Sequence, residues 1–97
     1  MTDCYWVYIL LCENLSYYTG YTDDLEKRFQ THLSGKGSKY TRSFRPVAIA
    51  QSWKVTGDKA AAMRLERYIK SLTRAQKEVL IQNPEQLSYN DSHKPDF

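Results

Sequence analysis

Residues 5–22, with the sequence YWVYILLCENLSYYTGYT, carry the strongest structural signal in this chain of 97 residues. The first eight are aromatic and branched, which is typical of a buried β-strand. A turn-like segment follows, and strand-forming residues then return, so the segment predicts a β-hairpin. Tyr8 and Tyr18 lie on its two arms. They share a face of the sheet only if the loop has an odd number of residues, for instance 13–15, whereas a regular four-residue loop over 13–16 separates them.

The residues after the hairpin predict a helix and then a basic loop. Apolar residues recur every four positions over 24–33, which predicts an amphipathic helix. Asp23, with Glu26 three positions later, matches the capping box that begins such a helix. Residues 34–46 are predicted to form a loop with four basic side chains and no acidic one.

The rest of the chain predicts one more strand and two more helices. Residues 47–55 alternate in part between apolar and polar and predict the third strand. Helices are expected over 59–71, capped by Asp58, and over 74–82, with a capping box of its own. The order ββαβαα predicts an α+β fold in which helices pack on a small three-stranded sheet.

Length and composition limit the class of protein. A chain of this size is expected to form a single domain, over 1–83, followed by a polar tail at 84–97 that is partly disordered. No apolar run reaches the length of a transmembrane helix, and the start has no secretory signal. Cys4 and Cys12 match neither a zinc site nor a disulfide framework, so we expect reduced thiols and a cytoplasmic location.

Charge is distributed unevenly along the sequence. The net charge is −5 over residues 1–26, +11 over 27–77 and −3 over 78–97. A compact domain with so basic a centre favours a polyanionic partner such as nucleic acid. Because that excess alone requires only phosphate contacts, a non-catalytic nucleic-acid-binding module stays open, as does a pure interaction domain that uses the aromatic strand.

Five side chains are candidates for chemistry, and each has a plainer explanation. Tyr8 and Tyr18 would serve as cross-strand packing. Arg28 and His32 lie at i and i+4 of one helix face, where either alone would be expected at the surface. Glu66 would form an ordinary helix ion pair, yet a lone carboxylate in a basic segment also suits a nuclease metal site.

In this order and spacing, the candidates resemble the GIY-YIG nuclease family. WVY at 6–8 and YTG at 18–20 match its two triplets, and Arg28, His32 and Glu66 follow in the family's order. The resemblance is closest to the small stand-alone bacterial members of the YhbQ type and covers most of the chain. The first glycine and the central isoleucine of the triplets are replaced here, and both of those positions are structural.

The resemblance implies a three-stranded antiparallel sheet and cleavage of phosphodiester bonds in DNA with one divalent metal, Mg²⁺ or Mn²⁺. Tyr8, with Tyr18 beside it, matches the tyrosine that helps to deprotonate the attacking water. Arg28 matches the arginine that binds the scissile phosphate, His32 a second group for proton transfer, and Glu66 the metal ligand. The chain would then be an endonuclease.

The resemblance also implies substrate-binding residues in the basic loop. These residues are Lys36, Lys39, Tyr40, Thr41, Arg42 and Arg45. Asn83 is the only candidate for an asparagine that the family often places after the glutamate, and that role stays open. RNA is not excluded as a substrate. We expect a chain of this size to have no room for a domain that selects the substrate. Three alternatives therefore stay open: low sequence preference, recognition of a branched or damaged shape of the nucleic acid, and a protein partner that supplies specificity.

Overall fold

The computed structural model describes residues 4–87, which form a small sheet flanked by helices. The elements are β1 (Cys4–Cys12), β2 (Tyr17–Thr22), α1 (Leu25–Leu33), α2 (Lys39–Ser43), β3 (Pro46–Thr56), α3 (Lys59–Lys70), α4 (Arg74–Gln82) and a 3-10 turn (Pro84–Gln86). The strands pair antiparallel in the order β2-β1-β3. The α+β class and the three-stranded antiparallel sheet are therefore confirmed.

The hairpin of β1 and β2 has the register that brings the two tyrosines together. Leu10 pairs with Tyr18, so Tyr8, two positions along β1, lies on the same face as Tyr18. The register places Cys12 opposite Ser16, whose carbonyl accepts from the Cys12 backbone N–H at 2.9 Å, so three residues, 13–15, form the loop. Leu15 has a φ of 66°, a left-handed conformation typical of three-residue hairpins. The odd-numbered loop required for a shared face is confirmed.

The apolar core lies on one face of the sheet, against α3 and α4. Its buried members are Val7, Ile9, Trp53, Val55, Ala61, Ala62, Leu65, Ile69, Leu80 and Leu87. The 3-10 turn closes this core, because the Trp53 indole N–H donates to the Pro84 carbonyl at 3.0 Å. The predicted tail thus begins with residues that pack on the domain, and residues 88–97 lie outside the described part of the chain.

The opposite face of the sheet carries polar groups under α1 and α2. Side chains alternate along β1, so Tyr8, Leu10 and Cys12 point away from the apolar core. Helix α1 places His32 on this face and α2 places Thr41 there, and both side chains are fully buried. The fold therefore combines a mainly apolar interior with a second interior that holds ionisable groups.

The predicted basic loop contains a short helix, α2, that the sequence pattern did not predict. Ser38 accepts a hydrogen bond from the Thr41 backbone N–H, and the Thr41 side chain accepts one from the Ser38 backbone N–H. This reciprocal cap stabilises a helix of only five residues. Such a helix is too short to show an apolar repeat, so the observed order is ββααβαα.

The predicted cap of α1 is displaced by one residue. Asp24, not Asp23, accepts the hydrogen bond from the Lys27 backbone N–H, at 3.1 Å. Helix α1 therefore begins at Leu25, and the Asp23 carboxylate does not cap it.

The other predicted elements agree with the structure to within one residue at each end. Asp58 caps α3 by accepting from the Ala61 backbone N–H at 3.1 Å, and Thr73 forms the expected capping box of α4. The longest helix, α3, has twelve residues. Within residues 4–87, no helix has the length and apolar character needed to cross a membrane.

Candidate active site

A cavity of about 460 Å³ opens at β2, the edge strand of the sheet. Its walls are Tyr5, Tyr8, Tyr18, Gly20, Tyr21, Thr22, Asp23, Arg28, Lys59 and Glu66. Residues from both faces of the hairpin take part, so the cavity includes the sheet edge itself. Four of the five candidates for chemistry, Tyr8, Tyr18, Arg28 and Glu66, line this one space, although they lie up to 58 positions apart in the sequence.

Gly20 explains how a tyrosine on the central strand reaches the edge of the sheet. Gly20 pairs with Tyr8 across the hairpin and has no side chain to block the ring. A Cβ at this position would lie 2.5 Å from the Tyr8 hydroxyl and 2.7 Å from Cζ. The ring therefore lies directly over Gly20, which places the hydroxyl at the cavity.

His32 lies behind the cavity and is bonded to Tyr8. Its Nε2 is 3.0 Å from the Tyr8 hydroxyl, and its Nδ1 is 2.7 Å from the Thr41 hydroxyl. The Tyr18 ring meets the imidazole edge-on at 5.3 Å between centroids. The histidine is fully buried, contrary to the surface position expected of a lone helical histidine.

Burial keeps Tyr8 protonated at neutral pH. Desolvation raises the pKa of Tyr8 to about 12, and coulombic repulsion from Tyr18 and Glu66 acts in the same direction. A hydrogen bond and the positive charge from Arg28 act against this rise without cancelling it. Tyr8 is therefore a hydrogen-bond donor in the free protein, because only about one molecule in 10⁵ would carry the phenolate at pH 7.

Burial also keeps His32 neutral. Desolvation, followed by the positive charge of Arg28, lowers the pKa of His32 to about 4. A neutral imidazole has one N–H and one bare nitrogen. The bare nitrogen can accept a proton, so the Tyr8–His32 pair joins a donor that faces the cavity to an acceptor that solvent does not reach.

Arg28 and Glu66 bring opposite charges to the cavity. Arg28 lies one turn before His32 on α1, and its guanidinium is close enough to Tyr8 to act on that pKa. The Glu66 side chain on α3 is 19% exposed and has Lys70 at 3.6 Å. A guanidinium binds a phosphate, and a largely buried carboxylate binds a hard cation.

The donor set fits a metal that keeps most of its own water. Glu66 and Asp23 are the two acids that line the cavity. Within residues 4–87, no three His, Cys, Asp or Glu side chains group together as metal ligands. Mg²⁺ is often held by one or two carboxylates, with water and substrate phosphate filling the other positions, so Glu66 suits that role.

The predicted substrate-binding residues lie on or next to α2 and do not line the cavity. The Tyr40 ring stacks on Tyr18, with centroids 6.0 Å apart and planes at 19°, and its hydroxyl bonds to Ser16. Thr41 is fully buried, and its hydroxyl faces His32 rather than the surface. Three further members are exposed and do not line the cavity, namely Lys36, Lys39 and Arg42.

Two predicted residues have structural contacts elsewhere. The Arg45 guanidinium donates to the Leu33 carbonyl at 3.0 Å, which caps the end of α1. Asn83 donates its side-chain amide to the Val79 carbonyl at 3.0 Å, at the end of α4, and does not line the cavity.

Several residues that line the cavity were not predicted from the sequence. Lys59 lies seven positions before Glu66, two turns earlier on the same side of α3, and this spacing was a usable signal. Tyr5 and Tyr21 belong to the other face of the hairpin, and their rings meet at 6.4 Å. Their presence in the cavity depends on its position at an edge strand, which the local pattern did not reveal.

A three-stranded sheet whose hairpin presents two tyrosines to one cavity with an arginine and a glutamate defines the class of domain. The family model of the GIY-YIG catalytic domain matches residues 4–79. The chain therefore belongs to the GIY-YIG family.

The proteins that this chain is similar to within the family are small bacterial proteins. A UPF0213 protein of Bacillus velezensis is 47% identical over 84% of this chain and 81% of its own length. The UPF0213 protein YazA of Bacillus subtilis is 45% identical over the same shares. The solution structure of the UPF0213 protein BH0048 from Bacillus halodurans matches with a TM-score of 0.54 and 40% identity, covering 92% of this chain and 94% of that one. The protein EF2693 from E. faecalis matches with a TM-score of 0.59 and 32% identity, covering 99% and 97%.

Proposed function

We propose that this protein is a metal-dependent endonuclease that hydrolyses phosphodiester bonds in DNA. The observation that carries the proposal is the shared cavity, in which the Tyr8 hydroxyl, the Arg28 guanidinium and the Glu66 carboxylate face one space. Hydrolysis of a phosphodiester needs a proton acceptor for water, a cation on the phosphate and stabilisation of the developing charge. These three groups match those needs.

Arg28 binds the scissile phosphate. Its guanidinium can contact two phosphate oxygens at once and stabilise the charge that builds up in the transition state. The same contact changes the environment of His32. Burial is the larger cause of the low pKa of His32 and the charge of Arg28 is the smaller. Phosphate on Arg28 offsets the smaller cause, so the imidazole becomes a better base when substrate is bound.

Tyr8 and His32 remove the proton from the attacking water together. The water gives a proton to the Tyr8 oxygen while the Tyr8 hydroxyl passes its own proton to Nε2 of His32. The hydroxide equivalent attacks phosphorus and the bond to the leaving oxygen breaks. The leaving oxygen takes a proton from solvent, and the imidazolium returns its own proton through Tyr8 to solvent. This route requires no free phenolate, which a Tyr8 pKa of about 12 makes rare.

Glu66 would hold one Mg²⁺ or Mn²⁺ with water and phosphate as the other ligands. Such an ion, when bound, neutralises charge on the phosphate and on the leaving oxygen. The residues nearby support this role, since Lys59 and Lys70 attract the phosphate that completes the shell.

The test is nicking of supercoiled plasmid DNA by the full chain, with Mg²⁺ or Mn²⁺ present and with each removed by a chelator. We expect metal-dependent nicking that falls by about 10² or more in Glu66→Gln and in Arg28→Ala. The matched control is Glu26→Gln, which removes an exposed carboxylate of α1 that does not line the cavity.

Equal nicking by all variants would contradict the proposal. DNA binding that survives Glu66→Gln without cleavage by any variant would instead identify a non-catalytic nucleic-acid-binding module. Branched, single-stranded and RNA substrates in the same assay then determine what the site prefers, and dependence on an added protein would reveal a specificity partner.

A further inference from the structure

Three buried polar side chains form a line that starts at the cavity and ends at α2. The Tyr8 hydroxyl is 3.0 Å from Nε2 of His32, and Nδ1 of the same ring is 2.7 Å from the Thr41 hydroxyl. His32 and Thr41 are both fully buried, so water cannot take either place in the line. Both ring nitrogens of His32 therefore have one defined partner each.

The segment around α2 is built to fit the His32 ring. Gly37 lies against the ring so closely that a Cβ there would collide with Nδ1. The reciprocal cap between Ser38 and Thr41 fixes the Thr41 oxygen, since that oxygen accepts from the Ser38 backbone N–H at 3.2 Å. The Thr41 hydroxyl is thus held in place by backbone structure and not by the histidine.

The donor and the acceptor in each hydrogen bond of this line follow from which groups carry a proton. Tyr8 is protonated, and the Arg28 guanidinium beside it cannot accept a proton, so the Tyr8 hydroxyl donates its proton to another group. The acceptor in reach is Nε2 of His32. A neutral imidazole with a bare Nε2 carries its proton on Nδ1 and donates it to Thr41. The Thr41 proton then has two acceptors in reach, the Ser38 hydroxyl at 3.1 Å and the Ser38 carbonyl at 3.3 Å.

We propose that Thr41 is a positioning residue that holds His32 as the Nδ1–H tautomer and so keeps Nε2 bare for the Tyr8 proton. This inference rests on the proposed function, in which Nε2 receives that proton. Without an acceptor at Nδ1 the proton can move to Nε2, where it blocks transfer from Tyr8. Thr41 was expected to bind substrate, and its buried position gives it this different task.

The tautomer is measured directly by NMR on the full chain. Histidine labelled with ¹⁵N is observed at pH 7.5 through long-range ¹H–¹⁵N correlations, and the His32 signals are assigned with a His32→Gln variant. We expect a protonated Nδ1 and a bare Nε2 in the wild type and in Thr41→Ser. Thr41→Val, which replaces the hydroxyl with a methyl group, should move the proton wholly or partly to Nε2.

Thr31→Val is the matched control. It makes the same change on α1, where the Thr31 hydroxyl donates to the Lys27 carbonyl and not to His32, so the wild-type tautomer should persist. A wild-type ring protonated at Nε2 overturns the proposal, even if Thr41→Val does not fold. An unchanged tautomer in a folded Thr41→Val overturns it as well.

The nicking assay gives a second readout. We expect kcat to fall by about tenfold or more in Thr41→Val, with little change in KM for DNA, and to recover in Thr41→Ser. If the wild type does not nick DNA, the proposed function fails, whereas the tautomer measurement still decides the role of Thr41. Loss of nicking in Thr41→Val with an unchanged tautomer would assign Thr41 a merely structural role.

Discussion

At the scale of single residues, Thr19 carries a buried hydroxyl group in the sheet that lacks a hydrogen-bond partner. It occupies the centre of the second triplet, is 3% exposed, and faces Ile9 across the hairpin. Its hydroxyl is the only buried side-chain oxygen or nitrogen without a hydrogen-bond partner that the structure describes between residues 4 and 87. A buried hydroxyl without a partner costs about 1–3 kcal/mol.

Thr19→Val should therefore stabilise the protein. The substitution keeps the shape and removes the unsatisfied hydroxyl, so we expect the free energy of unfolding to rise by about 1 kcal/mol. Urea denaturation measures the change. Thr22→Val on the same strand is the control, because it loses hydrogen bonds with Asp24 and should lower stability. A loss of stability in Thr19→Val would mean that the hydroxyl has a partner.

Alanine substitutions at Gly20 and Gly35 show whether the cavity depends on the space over Gly20 that the Tyr8 ring occupies. Gly20→Ala forces the Tyr8 ring away, so nicking should fall sharply and stability should drop by about 1–3 kcal/mol. Gly35 has a φ of 82°, and beyond its chain neighbours no atom lies within 4 Å of the place that a Cβ would take. Gly35→Ala should therefore lose about 1 kcal/mol through backbone strain alone and keep full nicking activity. Similar activity in both variants would contradict this role of Gly20.

His32 makes stability depend on pH in a defined window. Its pKa is about 4 in the folded protein, below the ordinary value of 6.5 that applies to the unfolded chain. Between these values the unfolded state binds the additional proton, so a falling pH favours unfolding. The stabilisation is fully present above pH 6.5 and is lost as the pH falls to about 4. At about 1.4 kcal/mol per pKa unit, the loss is on the order of 3 kcal/mol.

The measurement is the free energy of unfolding between pH 7.5 and 4, compared with that of His32→Gln. Carboxylates contribute to both proteins, so the difference between the two curves isolates the histidine. We expect the wild type to lose more stability than the variant over this range. Parallel curves would mean that His32 titrates near its ordinary pKa.

The residues of the cavity differ in how far the sequence could predict them. Tyr8, Tyr18, Arg28 and Glu66 were identified by their types and order, and the odd-numbered loop gave the shared face of the tyrosines. The burial of His32 could not be predicted, because helical spacing places it beside the apolar stripe and only the packing of α2 covers it. Thr41 gave no signal of its own inside a segment that looked like a basic loop.

At the scale of elements, the longer helices and strands could be predicted from the sequence because they show a period of apolar residues. Strands and helices of six residues or more show their apolar period and were predicted to within one residue. Helix α2 completes little more than one turn, so its capping pair, Ser38 and Thr41, was the only available sign. A threonine at the third helical position is a weaker signal than the usual Glu or Gln.

The 3-10 turn at Pro84–Gln86 lies beyond the predicted end of the domain at residue 83, so truncation can show where the domain ends. A chain that stops at 83, the predicted boundary, loses the hydrogen bond from Trp53 to Pro84 and the burial of Leu87, which is 8% exposed. We expect it to be about 2–4 kcal/mol less stable than a chain that stops at 87. Urea denaturation followed by tryptophan fluorescence compares the two. Equal stability would place the boundary at 83.

At the scale of the whole molecule, the uneven charge has a spatial counterpart. The basic segment includes α1 from Lys27 onward, the exposed cations around α2, and α3, which carries Glu66. Helices α1 and α2 cover the face of the sheet that holds His32, whereas α3 packs against the apolar core on the other face and reaches the cavity through Lys59 and Glu66. Basic helices therefore approach the cavity from both faces of the sheet.

This arrangement predicts how salt weakens DNA binding. Each phosphate contact that a cation makes adds about 0.9 to the slope of log K against log salt concentration for duplex DNA. If Lys39 contacts phosphate beside the cavity, Lys39→Gln should lower the slope by about that amount. Lys77→Gln removes the same charge from α4, which packs on the apolar-core face of the sheet, and should leave the slope unchanged. Because both variants change the net charge equally, equal slopes in the two would show that the molecule binds DNA through its overall charge and not through the side that carries the cavity.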